Sequence, residues 1–412
     1  MILAAIIISS VSFDAKEEAA EHAIARDNLA VTAPDIIDAP DVSGYILSVL
    51  AEKEAAAYFA EDETSPQNVQ KRNFHLALEN GAVIGASSVP AIYDAAKNDI
   101  LSGTYSYDVY AASGRELSRL LAYALLDDVS DNPYIDTDKR WFDAVLTDSL
   151  SFFGGKYILS STLTDTYENA YVLAYNRELV EESEVSADAL NGVLTLEKLI
   201  SYKKAAEIEQ SDIFPLYISG GGAFLENSDG ISVTAKADFD KGISQLMPLV
   251  ELGIGNFSDG SAAFSVMTLG EVKKYRKAGV DVGILPVPKQ SESDSYRCYV
   301  DVGATEFVAL PAGHDDMEKI SYLVYRLAFL SDGYMTSSYY EDFDGSEREM
   351  LKIIAESGVS DLSNLLGYGK VESLVNDVFF GREARPSLEY YNRKTLYEKA
   401  LEIIEKRINK EN

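Results

Sequence analysis

Cysteine is nearly absent from the sequence, and its scarcity excludes two kinds of architecture. Cys298 is the only cysteine among 412 residues. An intramolecular disulfide is therefore impossible, and a zinc site built mainly from cysteine ligands is excluded. We expect Cys298 to be a small residue in a strand or turn.

Basic residues are scarce as well. The chain has 36 Lys and Arg residues against 67 Asp and Glu residues, which gives a formal net charge of -31. Such a charge repels phosphate backbones and anionic lipid surfaces. Nucleic acid is therefore not an expected partner.

The motifs of common enzyme classes are also missing. The sequence contains no GxSxG, no GxxxxGK[S/T] and no GxGxxG after a strand, and its three histidines lie far apart. Pairs of carboxylates are so frequent that they have no specificity, and we interpret them as solvated faces or helix caps. We expect no catalytic residue, no metal site and no cofactor. The alternative is a carbohydrate-active enzyme that uses two carboxylates across a cleft.

Helix and strand patterns alternate along the chain. Helices are predicted at 16–30, 45–60, 69–80, 91–102 and 114–129, and strands at 29–37, 82–89 and 104–112. Further along, strands are predicted near 155–161, at 171–176 and at 213–219, and helices at 238–253 and 269–279. Such alternation indicates largely parallel sheets covered by helices, and 412 residues are enough for two or three domains.

Residues 281–311 read as two apolar strands separated by a polar, aromatic crossing. Val282–Val287 and Phe307–Leu310 are the strands, and Pro286 and Pro288 block a helix between them. The pattern is typical of a hinge beside a ligand cleft. A long helix is predicted to follow, capped by Asp315 or Asp316, and another helix closes the chain.

The first 15 residues contain an apolar run of about eight residues, the length of a signal-peptide core. They carry no basic start and no lipid-accepting cysteine. Two interpretations stay open: a signal peptide truncated at its start, or a first strand or expression remnant.

Five segments in order carry a resemblance to a known family. They are VQKRNFHLALENG, ILSGTYSYDVYAASGRELSRLLAYALLDDVSDNPYIDTDKRWFD, YVLAYNRELVEE, FSDGSAAFSVMTLGEVKKYRKAGVDVGILPVPK and SYYEDFDGSEREMLKII. Together they resemble the extracellular solute-binding proteins (family 1, sugar-binding type) of bacterial ABC importers, in the divergent branch common in gut Firmicutes. The resemblance spans about residues 65–365. The chain departs from the family in having RWFD where two adjacent Trp residues are frequent, and in lacking a lipobox Cys.

The resemblance implies a fold and a set of partners. The fold is α/β, a two-lobe periplasmic-binding-protein-like fold (type II, Venus flytrap), with a mostly parallel sheet flanked by helices in each lobe. We predict lobe 1 at 1–135 and 298–345, and lobe 2 at 136–297 and 346–412. A monomer on the outer face of a Gram-positive bacterium would capture a mono- or oligosaccharide for the transmembrane subunits of an ABC permease. The alternative is a sensor or scaffold that kept the fold without import.

Sugars stack on flat rings and hydrogen-bond to planar polar groups, so aromatic and polar residues at strand ends and crossings are candidates for ligand binding. The predicted ligand-binding residues are Trp141, Tyr110, Ser113, Asp108, Tyr134, Tyr175, Asn176, Gly221, Tyr296 and Tyr299. Each has a structural alternative: core packing for the aromatic residues, a helix N-cap for Ser113, and a flexible turn for Gly221.

Overall fold

The computed structural model describes residues 39–60, 66–227, 230–341, 343 and 345–410, with residues 333–341 described by their backbone alone. Its strands are β1 (Ile46–Glu52), β2 (Val83–Val89), β3 (Val109–Ser113), β4 (Tyr171–Asn176), β5 (Ala205–Glu207), β6 (Leu225–Asn227), β7 (Ile231–Val233), β8 (Gly253–Ile254), β9 (Phe264–Thr268), β10 (Val282–Leu285), β11 (Cys298–Tyr299), β12 (Glu306–Ala309) and β13 (Gly358–Val359).

Its helices are α1 (Gln67–Asn80), α2 (Tyr93–Ser102), α3 (Gly114–Leu121), α4 (Ala144–Ser149), α5 (Glu182–Leu190), α6 (Leu196–Ser201), α7 (Ile213–Ser219), α8 (Lys236–Gln245), α9 (Leu269–Lys277), α10 (Met317–Glu341), α11 (Gly345–Glu356), α12 (Leu362–Leu366), α13 (Val371–Phe379) and α14 (Pro386–Ile408). The predicted helix at 16–30 and the predicted strand at 29–37 lie outside the described residues.

The first of two larger sheets has four strands in the order β12-β3-β1-β2. β1 is parallel to both of its neighbours, and β12 runs antiparallel to β3, with Glu306 opposite Ser113. The carboxyl ends of β1 and β3 and the amino end of β12 therefore lie at the same edge of the sheet.

The prediction of a helix over 45–60 is wrong. Residues 46–52 form the inner strand β1, and only Ala55–Tyr58 makes a short 3₁₀ turn. Leu47, Val49 and Leu50 are fully buried in the sheet. A short apolar run fits a buried strand and a buried helix equally well by periodicity, and here pairing with strands on both sides decides.

The second larger sheet has five strands in the order β10-β4-β9-β5-β8. β4 is antiparallel to both β10 and β9, whereas β5 is parallel to β9 and β8. Two pairs of short strands, β11 with β13 and β6 with β7, complete the sheet structure of the described chain.

Residues 213–219, predicted as a strand, form helix α7, so that prediction is also wrong. All seven residues of α7 are buried, which removes the polar face that marks a helix in sequence. Pro215 sits in the first turn, where its missing N–H costs no helical hydrogen bond.

Several other predictions are confirmed. Helices α1 and α2 end at Gly81 and Gly103, whose φ angles of 68° and 69° are left-handed, where a glycine is favoured. Strands β2, β4, β10 and β12 lie where strands were predicted. Helix α3 ends at Leu121, so the predicted helix over 114–129 is shorter than expected.

The two larger sheets are connected by segments that pair with each other. Along the first, Leu159 pairs with Val308 as an isolated bridge in place of the predicted strand, and Ala170 pairs with Val300. The backbone N–H of Asp301 donates to the carbonyl of Asn169 at 3.1 Å. Residues 160–170 and 298–305 therefore lie side by side at the junction of the sheets.

Among the helices of the described chain, none has an apolar stretch long enough to cross a membrane.

Candidate functional site

Three strand ends of the first sheet meet at the junction. The backbone N–H of Ser113 donates to a carboxylate oxygen of Glu52 at 2.9 Å, and Glu306 lies opposite Ser113. The hydroxyl of Thr164, on the first connecting segment, donates to the carbonyl of Glu306 at 2.7 Å. Since ligands of α/β proteins gather outside the carboxyl ends of parallel strands, this edge is where a binding site is expected.

This edge concentrates negative charge. Burial, together with the charges of Glu52 and Glu168, raises the pKa of Glu306 to about 7. Burial also raises the pKa of Asp165, and Tyr58 has a raised pKa because of its burial and because Asp165 and Glu306 are near. Within the described residues, Glu306 forms no ion pair. Its carboxyl group can therefore exchange a proton near neutral pH.

Lys273, in the middle of helix α9, brings a positive charge to the same place. Its Nζ lies 3.8 Å from the Oδ2 of Asp165, and its charge opposes the raised pKa of Asp165. Helix α9 is positioned by a capping box in which Thr268 and Glu271 bond each other's backbone N–H.

An aromatic group occupies the second sheet's side of the junction. The ring of Tyr171, the first residue of β4, lies 5.6 Å from that of Tyr299, and Tyr299 contacts Phe214 edge-on at 5.5 Å. Burial raises the pKa of Tyr171, and the charges of Asp301 and Asp212 add to the effect. Burial raises the pKa of Asp212 itself to about 7.

A cavity of about 420 Å³ lies at the junction, and residues from both sides of the connecting segments line it. The lining residues are Arg140, Trp141, Phe142, Asp143, Ala144, Val145, Ser160, Ser161, Thr162, Thr164, Asp165, Thr166, Tyr167, Leu269, Lys273, Asp332, Leu351, Ile354, Ala355 and Glu356. The set combines hydroxyl groups, charges of both signs and apolar side chains. This is the lining that a polar small molecule requires.

Ion pairs and hydrogen bonds hold the wall of this junction cavity. Arg140 pairs with Asp332 at 2.6 Å. Asp143 caps helix α4 by accepting from the backbone N–H of Leu146 at 3.0 Å, and it also accepts from the hydroxyl of Tyr167. The wall is therefore largely formed before any ligand binds.

Trp141 is the predicted site residue that lines this cavity. Only 3% of it is exposed, and its ring contacts Tyr325 and Phe329 edge-on at 5.7 and 5.1 Å. Its Nε1–H is buried and has no hydrogen-bond partner among the described residues. A buried donor without a partner costs free energy, so a ligand acceptor in the cavity would be stabilised here.

Two predicted residues at the start of β3, Asp108 and Tyr110, lie away from the junction edge. Asp108, just before the strand, accepts from the backbone N–H of Ser48 at 2.7 Å and from the hydroxyl of Tyr45 at 3.1 Å. The Nε2 of His314 lies 3.2 Å from its carboxylate. Tyr110 is completely buried in the core. Ser113 stands directly before helix α3, but its side chain makes no capping hydrogen bond.

Tyr175 and Asn176 occupy the end of β4 opposite to Tyr171. Tyr175 is 1% exposed and covers Gly283 of the neighbouring strand. Asn176 accepts from the backbone N–H of Glu178 at 2.9 Å. Both therefore help to terminate and pack the strand.

The other predicted residues are dispersed. Tyr134 donates to Glu318 at 3.2 Å, and Tyr296 donates to the carbonyl of Ala189 at 2.9 Å. Gly221, with a φ of 90°, lines a second cavity, which lies in the part of the chain that carries the second sheet.

The structure thus brings only Trp141, Ser113 and Tyr299 to the junction. The carboxylates Glu52 and Glu306 were missed in the sequence. Glu52 was not recognised because its strand was predicted as a helix. A charged residue that ends an apolar strand is nevertheless a usable signal of a binding site.

No cluster of three or more His, Cys, Asp or Glu side chains arranged for a metal ion occurs in the part of the chain that the structure describes.

No protein-family model and no curated protein matches the sequence. Solved structures share its fold over nearly the whole chain. A cyclo/maltodextrin-binding protein complexed with maltotetraose matches with a TM-score of 0.57 at 16% identity, over 89% of this chain and 98% of the other. An ABC substrate-binding protein from Listeria monocytogenes in complex with cycloalternan matches with 0.50 at 11% identity, over 87% and 99%. A solute-binding protein of an ABC transporter from Agrobacterium radiobacter K84, in complex with ribitol, matches with 0.50 at 17% identity, over 87% and 100%. The chain therefore has the α/β, two-lobe, periplasmic-binding-protein-like fold that the sequence predicts.

Proposed function

We propose that this chain is the substrate-binding protein of an ABC importer and that it captures a small carbohydrate at the junction of its two lobes. The observation that carries the proposal is the junction cavity. Its lining residues come from before, within and after the connecting segments. Similar structures in complex with maltotetraose, cycloalternan and ribitol support a sugar or polyol as the ligand.

The chemistry of the junction fits a hydroxyl-rich solute. Carboxylates such as Asp165 accept hydrogen bonds from sugar hydroxyls, and Lys273 and Trp141 can donate to them. Apolar lining residues such as Leu269 and Ile354 suit the C–H faces of a sugar ring. Because these groups belong to different parts of the chain, a ligand that contacts all of them binds the closed form more tightly than an open one, and this difference drives closure.

The two-lobe assignment is part of the proposal. Each lobe would be built around one of the larger sheets, with lobe 1 at 1–135 and 298–345 and lobe 2 at 136–297 and 346–412. The pairing of Leu159 with Val308 favours a first crossing nearer to residue 164 than to residue 135.

The location and partners follow from the proposed role. The protein would act as a monomer on the outer face of a Gram-positive bacterium, and its closed form would deliver the solute to the transmembrane subunits of a permease. An extracytoplasmic enzyme or a sensor on the same fold would be an alternative outcome of the tests below.

The ligand is tested by calorimetry with maltotetraose, cycloalternan and ribitol. We expect at least one of them to bind and to be recovered chemically intact. Released products would instead indicate a hydrolase. Scattering at saturation should show a more compact particle, and an unchanged profile with a ligand that binds would contradict closure.

The position of the site is tested by Lys273→Met. We expect the affinity for the ligand to fall about tenfold or more, because the variant removes one of the two cations that line the cavity, the other being Arg140. The matched control is Lys277→Met, an exposed lysine of the same helix. Equal affinity in both variants would place the ligand elsewhere.

A further inference from the structure

A second cavity of about 590 Å³ lies in the part of the chain that carries the second sheet. It is formed where the glycine turn after α7 meets the ribbon of β6 and β7, helix α8 and the segment before β11. It shares no lining residue with the junction cavity.

Arg297 lines this second cavity, and its guanidinium group has no ion-pair partner among the described residues. The side chain is half-buried, and its Nε is buried without a hydrogen-bond partner. No carboxylate of the described chain forms an ion pair with it, although the sequence has 67 acidic residues. Burial lowers its pKa, with no opposing contribution from a carboxylate. A cation held in this way is costly unless an anion comes to it.

Two hydroxyl groups line the same cavity without partners. The Oγ1 of Thr234 and the Oγ of Ser360 are both buried and make no hydrogen bond. Thr234 as a whole is 4% exposed. Each hydroxyl can donate one hydrogen bond and accept others, so both can bind a ligand oxygen that reaches them in the cavity.

The glycine turn at Gly221 and Gly222 leaves space in the cavity but offers no free backbone N–H donors. The backbone N–H groups of Gly221 and Gly222 already donate to the carbonyls of Ile218 and Tyr217 at 3.0 and 2.9 Å. A Cβ on Gly221 would meet no atom within 4 Å, so the turn leaves the entrance open.

The rim of the cavity has a different character. Glu226, Asp238 and Lys241 are exposed lining residues, so the rim carries charges of both signs. The two carboxylates accept hydrogen bonds from hydroxyl groups, and the ammonium group donates them. A ligand with one negative charge beside Arg297 and hydroxyl groups at the rim would match both the guanidinium group and the rim.

We propose that this second cavity binds a small polyhydroxy carboxylate, such as a sugar acid, with its carboxylate on Arg297, Thr234 and Ser360. The site is independent of the proposed capture of a solute at the junction. Variants of Lys273 and Arg297 should therefore affect the binding of different ligands.

The test is calorimetry with glucuronate, using glucose, acetate and inorganic phosphate as comparisons. We expect glucuronate to bind about tenfold more tightly than each of the three. Arg297→Met should reduce the affinity about tenfold or more, whereas Arg382→Met should not, because Arg382 is an exposed arginine paired with Asp377 at 3.2 Å.

A stability measurement and a second variant keep the test independent of folding. Because Arg297 is a half-buried cation without an ion-pair partner among the described residues, Arg297→Met should not lower the melting temperature of the ligand-free protein. Thr234→Val preserves shape and should weaken glucuronate binding by several-fold. Equal glucuronate binding by wild type and both variants, or phosphate binding as tight as glucuronate, would overturn the proposal.

Discussion

Replacing Glu306 with glutamine should make the folded protein more stable at pH 8 and reduce its sensitivity to pH. Glu306 begins β12 at the junction edge, and its half-buried carboxyl group lies near Glu52 and Glu168. Ionising it in this place is unfavourable because burial removes water and the neighbouring charges have the same sign. Glutamine keeps the shape and hydrogen-bonding capacity but never carries the charge.

The size of the effect follows from the pKa. Burial and neighbouring carboxylates raise the pKa of Glu306 from 4.5 to about 7. The folded state therefore holds this proton more tightly than the unfolded state, so the free energy of unfolding falls as the pH rises from 4.5 through 7 and is constant above that range. At 1.36 kcal/mol for each pKa unit, the loss is about 3 kcal/mol, reduced by partial exposure to solvent.

The assay is urea unfolding of wild type and Glu306→Gln at pH 5, 6, 7 and 8. We expect the variant to gain stability over wild type between pH 5 and pH 8, by about 2–3 kcal/mol. Asp212 also titrates near pH 7, but it is present in both proteins and cancels in the difference. Glu251→Gln, at an exposed glutamate, is the control. A stability difference that does not change with pH would refute the assignment.

Three further predictions concern single positions. Trp141 is the only tryptophan and lines the junction cavity, so its fluorescence should change when a solute binds there, and a ligand that binds by calorimetry without changing it would bind elsewhere. Gly283→Ala should destabilise the protein by about 1–3 kcal/mol in urea unfolding, because its Cβ would lie 2.1 Å from the ring of Tyr175, and an unchanged midpoint would contradict this packing. Cys298 is completely buried and burial raises its pKa, so a thiol reagent should modify it only in denaturant, and rapid labelling of the native protein would contradict its position in β11.

The sequence predicts correctly those helices whose ends are marked by a local residue signal. Helices α1 and α2 combine a periodic pattern with a glycine that ends the helix, and both are found as predicted. The errors at β1 and α7 share another cause: both are short, largely buried apolar runs. For such runs the choice between helix and strand depends on neighbours that are distant in sequence, such as β2 and β3 for β1.

The candidate site could be predicted only in part, for a related reason. Trp141 was identified because a lone tryptophan near a crossing is conspicuous in composition. Glu52, Asp165 and Glu306 are three among 67 acidic residues, and no local pattern distinguishes them. What makes them special is that β12 returns antiparallel beside β3, so that a residue from late in the chain meets the carboxyl end of β1.

The two cavities differ in the charge that they can accept. At the junction edge, beside the junction cavity, burial and the charges of Glu52 and Glu168 raise the pKa of Glu306, so an anionic solute there would add to the repulsion. A neutral hydroxyl-rich solute that donates hydrogen bonds to these carboxylates relieves it. In the second cavity the uncompensated charge is the cation of Arg297, which favours a carboxylate. If both proposals hold, glucose should bind at the second cavity more weakly than glucuronate, because it brings no charge to neutralise the cation of Arg297.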